Sequence, residues 1–240
     1  MRDVQADHII EWFLELEERL LSLMRHVPFN PETENVSLPR ASGIILEACS
    51  LVDTVFRETM VSDKSRDKLS MKDFEPYFEG KLALSGLRSI LFLWPPKYLV
   101  PFAAWSGSGA RSRLAWWNAY TDIKHSRVAS LKHATLGNAI QATAALHQVM
   151  SQTSFFWVPF LRRDMLGSSR LLLANFVNNM LSGAGLSPAS VAIGTTATVE
   201  SQLFCTTLGS ERFPEHESDL RQSRIAKTGS KRLQRFLGLN

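Results

Sequence analysis

The spacing of apolar and polar positions predicts helices over most of the first 150 residues. Residues 3–26 place apolar side chains three and four positions apart, with acidic residues between them, which is the pattern of an amphipathic helix. Pro28 and Pro31 end this pattern. A second helix is predicted at about residues 41–60, and a short third helix at 71–84.

The pattern changes after the third helix. SILFLW and KYLVPFAAW are apolar, aromatic runs around a Pro-Pro turn, and they predict two short strands, a β-like insertion near residues 88–104. The chain is then predicted to be helical over residues 111–127, from 131 to about 152, and again at 168–181. After Pro188 a segment rich in Thr and Val predicts one or two further strands.

Composition places these elements in an ordinary globular protein. Of the 240 residues, 45% are hydrophobic and 21% are charged, so a sizeable core is expected. The predicted fold class is mainly α. A helical bundle containing the β-like insertion is expected at residues 1–165. A small mixed C-terminal extension, with a helix, possible strands and a basic tail, is expected at residues 166–240.

Several classes of function lack their signatures. The first residues, MRDVQADHIIEWFLELEE, carry acids where a signal peptide needs an apolar run, and no stretch has the roughly 18 uninterrupted apolar residues of a membrane span. A cytoplasmic protein without membrane contact is therefore expected. Cys49 and Cys205 lie in apolar contexts that predict buried free thiols. No zinc-site spacing or phosphate-binding Gly motif is present, so neither a metal nor another cofactor is predicted.

The charge is distributed unevenly along the chain. Residues 1–100 hold 12 Lys/Arg against 16 Asp/Glu, a balance of −4, whereas residues 101–240 hold 15 against 7, a balance of +8. This asymmetry favours an anionic partner for the second half. The final twenty residues form a basic tail that is either a nucleic-acid contact or a solvated, frayed terminus. Its basic residues are Arg221, Arg224, Lys227, Lys231, Arg232 and Arg235.

The chemically most informative stretch is RLAWWNAYTDIKHSRVASLKHATLGN. On a helix, Asn118, Asp122 and His125 lie near one face because offsets of three, four and seven return to the same side. A histidine can exchange a proton with a ribose 2′-OH or a leaving oxygen, and cationic side chains can stabilise charge on a phosphate. Such groups suit RNA cleavage without a metal ion. The candidate catalytic residues are Asn118, Lys124, His125, Arg127 and His133.

The same stretch also has a structural interpretation. The Lys-His pair then belongs to a solvated helix surface, Asp122 and His125 form a simple pair one turn apart, and the double tryptophan anchors the helix to the core.

The run WWNAYTDIKHSR, followed by KHATLGNAIQATAAL, resembles the "WW-x-x-Y-N-x-x-K-H-x-R … A-T-L-x-N-A" pattern of bacterial HEPN-like proteins. The likeness spans roughly residues 8–150, and its specific part is about thirty residues long. These proteins have all-helical domains and occur in toxin–antitoxin, abortive-infection and RNA-processing systems. The resemblance therefore implies a nucleic-acid-handling protein in a toxin–antitoxin or phage-defence setting, with an antitoxin or defence-system protein as a partner.

The resemblance also assigns roles to individual residues. By the family's pattern Arg127 contacts phosphate and His133 or His125 acts as acid or base, which implies a metal-independent endoribonuclease. Val128 follows the arginine where the family usually has a polar residue. HEPN domains commonly pair through the motif helices, so a homodimer is implied. The alternative is a non-catalytic helical dimer that binds RNA or a partner protein through the same residues.

Overall fold

A computed structural model of the protein describes residues 3–60, 65–93, 95–106, 114–167, 198–208, 213 and 231. Within these ranges it contains six α-helices and four short strands, which confirms the expectation of a mainly helical fold. The helices are α1 (Asp3–His26), α2 (Pro39–Thr59), α3 (Met71–Leu82), α4 (Ala115–His125), α5 (Leu136–Gln152) and α6 (Trp157–Arg162). The strands are β1 (Ser89–Leu91), β2 (Lys97–Leu99), β3 (Thr198–Glu200) and β4 (Phe204–Thr207).

Helix α5 lies at the centre of the molecule. It packs against α1, α2 and α4, and it also contacts β4. Small residues such as Ala142, Ala144 and Ala145 are fully buried, so neighbouring elements can approach the helix from several sides. A helix that is buried around most of its circumference carries the apolar content of a core element, not the single stripe of a surface helix.

The strands form one antiparallel sheet in the order β2-β1-β4-β3. Ile90 in β1 lies opposite Tyr98 in β2 on one side and Cys205 in β4 on the other. The predicted β-like insertion and the predicted C-terminal strands therefore belong to the same sheet. Cys49 and Cys205 are both free and buried, as expected.

An aromatic cluster joins α3 to α2. The ring of Phe56 stacks on Phe78 with centroids 4.3 Å apart and contacts Phe74 and Trp105 at 5.2 Å and 6.0 Å. Helix α3 ends at Leu82, two residues before the predicted end, because the next residue adopts a left-handed conformation with φ 47°.

The helix boundaries near the candidate chemistry also differ from prediction. Helix α4 ends at His125, not at residue 127, and α5 begins at Leu136, not at residue 131. The hydroxyl of Thr135 accepts a hydrogen bond from the Asn138 N–H at 3.1 Å and caps α5 there.

Some predictions concern residues outside the described ranges. These are the helix at 168–181 and the basic tail, apart from Lys231, which is exposed. Among the described residues, no helix has the length and apolar character needed to span a membrane.

Candidate functional site

Helix α4 is fixed by its apolar side and presents a polar one. Trp116, Ala119 and Ile123 are buried, and the Trp116 indole N–H donates to the carbonyl of Pro101 at 2.8 Å. The tryptophan is thus an anchor to the core. On the opposite side Asn118 is exposed.

The last turn of α4 is basic and exposed. Lys124 places its ammonium group over the ring of Tyr120, 5.5 Å from the centroid, and His125 follows at the end of the helix. Cations at a helix C-terminus interact favourably with the helix dipole. That interaction does not shield them from solvent, so both side chains are accessible to a ligand.

The connection between α4 and α5 spans residues 126–134 and is held at its far end. The Ser37 hydroxyl donates to the carbonyl of Leu131 at 2.7 Å, and the Asn138 amide donates to the carbonyl of His133 at 2.9 Å. Residues 28–38 run alongside, with the Gly137 N–H donating to Glu34 at 2.8 Å. A Cβ at Gly137 would lie 3.0 Å from the Glu34 carbonyl oxygen, so a glycine permits this close approach.

His133 is paired with a carboxylate. Its Nε2 lies 3.6 Å from Oδ2 of Asp122, and the two side chains are 41% and 50% exposed. A carboxylate at this position can hold the imidazole in one orientation. Asp122 lies one turn before His125 on α4, and the structure also places it beside His133.

Arg127 and His133 line different cavities. Arg127 belongs to a cavity of about 560 Å³ between α1, α2 and the connection, which also contains Arg19 and Arg40. His133 belongs to a cavity of about 580 Å³ with Lys132. Two of the predicted site residues, an arginine and a histidine, therefore line different cavities.

The second cavity carries the more varied polar groups. Beside His133 and Lys132, its lining includes Glu34, Asn35 and Asn138, and the buried side-chain oxygen of Gln141 has no hydrogen-bond partner. The lining of these two cavities does not include Asn118, Lys124 or His125. These three candidates lie on the outer surface of α4.

Two titratable side chains of the neighbouring helices, His147 on α5 and Cys49 on α2, are fully buried. Burial lowers the pKa of His147 to about 3, so the ring is neutral at physiological pH. Its Nδ1 lies 2.8 Å from the Thr206 hydroxyl, and its buried Nε2 has no partner. Burial also raises the pKa of the Cys49 thiol, which removes it as a nucleophile.

Glu17 is a carboxylate that is buried among the described residues. Its carboxylate accepts from the Ser201 hydroxyl at 2.5 Å, from the Leu203 N–H at 2.8 Å and from the Gln202 N–H at 3.2 Å. These bonds join α1 to the β3–β4 turn. The group is used by the fold and is not open to a ligand.

Sequence reasoning missed Arg19 and Arg40 because they lie on α1 and at the start of α2, far along the chain from Arg127. Their approach depends on how α1 and α2 pack, which no local spacing encodes. Among the described residues, no group of three or more His, Cys, Asp or Glu side chains is arranged to hold a metal ion. No protein-family model, curated protein or solved structure matches the chain.

Proposed function

We propose that the chain is an RNA-binding helical protein of the HEPN-like type, and that it binds RNA at the basic surface formed by the end of α4 and the connection to α5. The observation that carries the proposal is the exposure of four basic side chains within nine residues of chain. They are Lys124, His125, Arg127 and Lys132. Two described acids lie close to this basic surface: Asp122, which is paired with His133, and Glu34, which lines the second cavity with Lys132 and is paired with Lys97.

The charge and exposure suit a phosphate backbone. Lys124, Arg127 and Lys132 are basic and exposed, and none of them forms an ion pair with the described residues, so each can contact one phosphate. His125 adds a ring N–H donor. The excess of +8 in residues 101–240 gives the same half of the chain a favourable long-range field.

Binding is tested by fluorescence anisotropy with a labelled RNA over a range of salt concentrations. The triple variant Lys124→Gln, Arg127→Gln, Lys132→Gln is expected to reduce the slope of log K against log salt by about 2 to 3. Lys72→Gln on α3, which removes an exposed cation elsewhere, is the matched control. A triple variant with the wild-type slope would contradict the proposed surface.

Metal-independent endoribonuclease activity is a second candidate, favoured by the pairing of His133 with Asp122 at the second cavity. In this reaction His133 takes the proton from a ribose 2′-OH, the oxygen attacks the adjacent phosphorus, and the bond between phosphorus and the 5′-oxygen breaks. The leaving 5′-oxygen takes a proton from water, and His133 then releases its own proton to solvent. The products are a 2′,3′-cyclic phosphate and a 5′-hydroxyl end. Lys132 lines the same cavity and is the cation placed to stabilise the phosphate.

The activity is tested by incubating RNA with the protein in EDTA and identifying the ends. Wild type is expected to yield cyclic-phosphate ends, and His133→Ala is expected to abolish them, whereas Asp122→Asn slows their formation by about tenfold to a hundredfold. Cleavage that persists in His133→Ala would reject this site. Binding without cleavage would leave the chain as a non-catalytic RNA-binding protein.

The remaining expectations belong to the same proposal. The chain acts as a cytoplasmic homodimer paired near α4, in a toxin–antitoxin or phage-defence system with a protein partner. Light scattering coupled to size exclusion measures the dimer directly, and a monomer at all concentrations would remove the pairing from the proposal.

A further inference from the structure

The first cavity suggests which form of RNA the basic surface prefers. We propose that it receives one unstacked base of a single-stranded RNA, whose flanking phosphate is held by Arg40 and Arg127. This inference rests on the proposed RNA-binding function and adds to it a site formed by α1 and α2, outside the stretch that carries the resemblance's motif.

The charge of the cavity is one-sided. The described residues of its lining include Arg19, Arg40 and Arg127 and no carboxylate, and Arg19 is paired with Glu47 of α2. Arg40 and Arg127 are exposed, and neither forms a hydrogen bond or ion pair with the described parts of the chain. Their guanidinium groups are therefore available for bidentate contact with a phosphate.

Arg19 has a different state from the other two arginines. Its Nη1 lies 2.5 Å from Oε2 of Glu47, so an internal ion pair fixes the side chain against α2. A Cβ at position 43 would lie 3.0 Å from its Nη2, and Gly43 leaves room for the guanidinium plane. The ion pair thus holds Arg19 in place in the lining, where its guanidinium group can contact a base.

Most of the rest of the lining is apolar, and Ser22, Ser42 and Gly43 complete it. The apolar residues are Leu23, Pro39, Ile44, Val128 and Leu131. Val128 is 90% exposed, so an apolar side chain stands in solvent at the mouth of the cavity. A base inserted there would cover Val128 and gain apolar contact that a phosphate alone does not provide.

The volume of the cavity matches that of a single nucleotide. A volume of about 560 Å³ holds one nucleotide, within the roughly 300–1,000 Å³ usual for ligand pockets. A base in an A-form duplex stays paired and stacked and cannot enter, whereas an unpaired base can turn out of its strand. An acidic protein segment would also meet the arginines. RNA is favoured because Arg127 lies three residues after Lys124 and five before Lys132, and both lysines are exposed.

The test compares a labelled 12-nucleotide single strand with the duplex of the same sequence, by anisotropy at fixed salt. Wild type is expected to bind the single strand at least about fivefold more tightly. Arg40→Gln is expected to weaken single-strand binding about tenfold and duplex binding by less than about twofold. Lys72→Gln on α3 controls for the loss of one exposed cation. Arg40 forms no side-chain hydrogen bond or ion pair with the described residues, so its replacement is not expected to unfold the protein.

A second readout follows the base itself. A single strand containing 2-aminopurine is expected to become brighter on binding wild type, because the base leaves its stack, and to brighten less with Val128→Ser. Equal binding of single strand and duplex, or an Arg40→Gln variant that behaves like Lys72→Gln, would overturn the inference and leave the proposed function standing. Absence of RNA binding by wild type would reject the proposed function itself.

Discussion

Two neighbouring regions of the molecule treat their polar groups in opposite ways. Between α5 and the sheet, the buried polar atoms are hydrogen-bonded apart from two, Nε2 of His147 and Oε1 of Gln148, which have no partner among the described residues. Gln152 donates to the Thr207 carbonyl at 2.7 Å, and the Ser89 and Thr206 hydroxyls lie 2.6 Å apart. At the connection from α4 to α5, Arg127 is exposed and makes no internal bond among the described residues. Polar groups in the first region hold the fold together, and those in the second are left for a ligand.

The comparison separates stability from function. A polar residue of the buried region should affect unfolding strongly, because its loss leaves a partner without water or a hydrogen bond. A charged residue at the connection should affect binding and leave unfolding nearly unchanged.

The largest effect is expected from Glu17→Ala. The variant leaves the buried Leu203 N–H and the Ser201 hydroxyl without their carboxylate acceptor, so the free energy of unfolding should fall by about 3 kcal/mol. Urea denaturation followed by circular dichroism measures the loss. Glu18→Ala, an exposed neighbour on α1, is the control and should change the value by less than about 0.5 kcal/mol. Equal effects of the two variants would remove the distinction between the regions.

An effect that is smaller per pH unit, and that grows as pH decreases, is expected from His147. Its pKa of about 3 in the folded protein is below the roughly 6.5 of an unfolded histidine. Between these values the unfolded chain binds a proton that the folded protein does not, so stability falls as pH decreases, by about 1.4 kcal/mol per pH unit for this group. Above pH 6.5 the group contributes no pH dependence.

The measurement is the free energy of unfolding from pH 7 to pH 4 for wild type and His147→Gln. Glutamine keeps a polar group near Thr206 but cannot ionise, so its curve should be flatter by that slope. Parallel curves for the two proteins would show that His147 is not the group responsible.

The smallest effect is expected from removing the free arginines of the connection and the first cavity. Arg40→Gln combined with Arg127→Gln should change the free energy of unfolding by less than about 0.5 kcal/mol, since neither side chain forms a hydrogen bond or ion pair with the described residues. The thermal midpoint is the readout. A loss above about 1 kcal/mol would mean that these side chains contribute to the fold.

Periodicity predicted the long helices because their apolar stripes are local features of the chain. The strands were also predicted, but their pairing was not, since Ile90 and Cys205 are brought together by packing and not by spacing. The burial of Glu17 is predictable from its spacing, because it lies four residues from both Phe13 and Leu21 on the buried stripe of α1. A carboxylate at such a position needs buried donors.

The candidate site was predicted less completely than the fold. The exposed basic side chains of α4 follow from the position of its apolar side, so Lys124 and His125 could be placed on the surface from sequence. Sequence could not predict that Arg127 and His133 line different cavities. This depends on where the chain leaves α4 and on how residues 28–38 support the connection. Arg19 and Arg40 enter the first cavity only through the packing of α1 and α2.

The position of β4 inside the sheet has a consequence for biosynthesis. Strand β1 is made more than one hundred residues before β4, yet β4 lies beside it and completes its hydrogen bonding. While the ribosome is still translating the intervening chain, β1 presents an open edge on one side, and the Phe13 and His147 side chains lack the covering strand. Nascent chains stalled before residue 204 therefore expose a surface that chaperones recognise and that other unfinished chains can join.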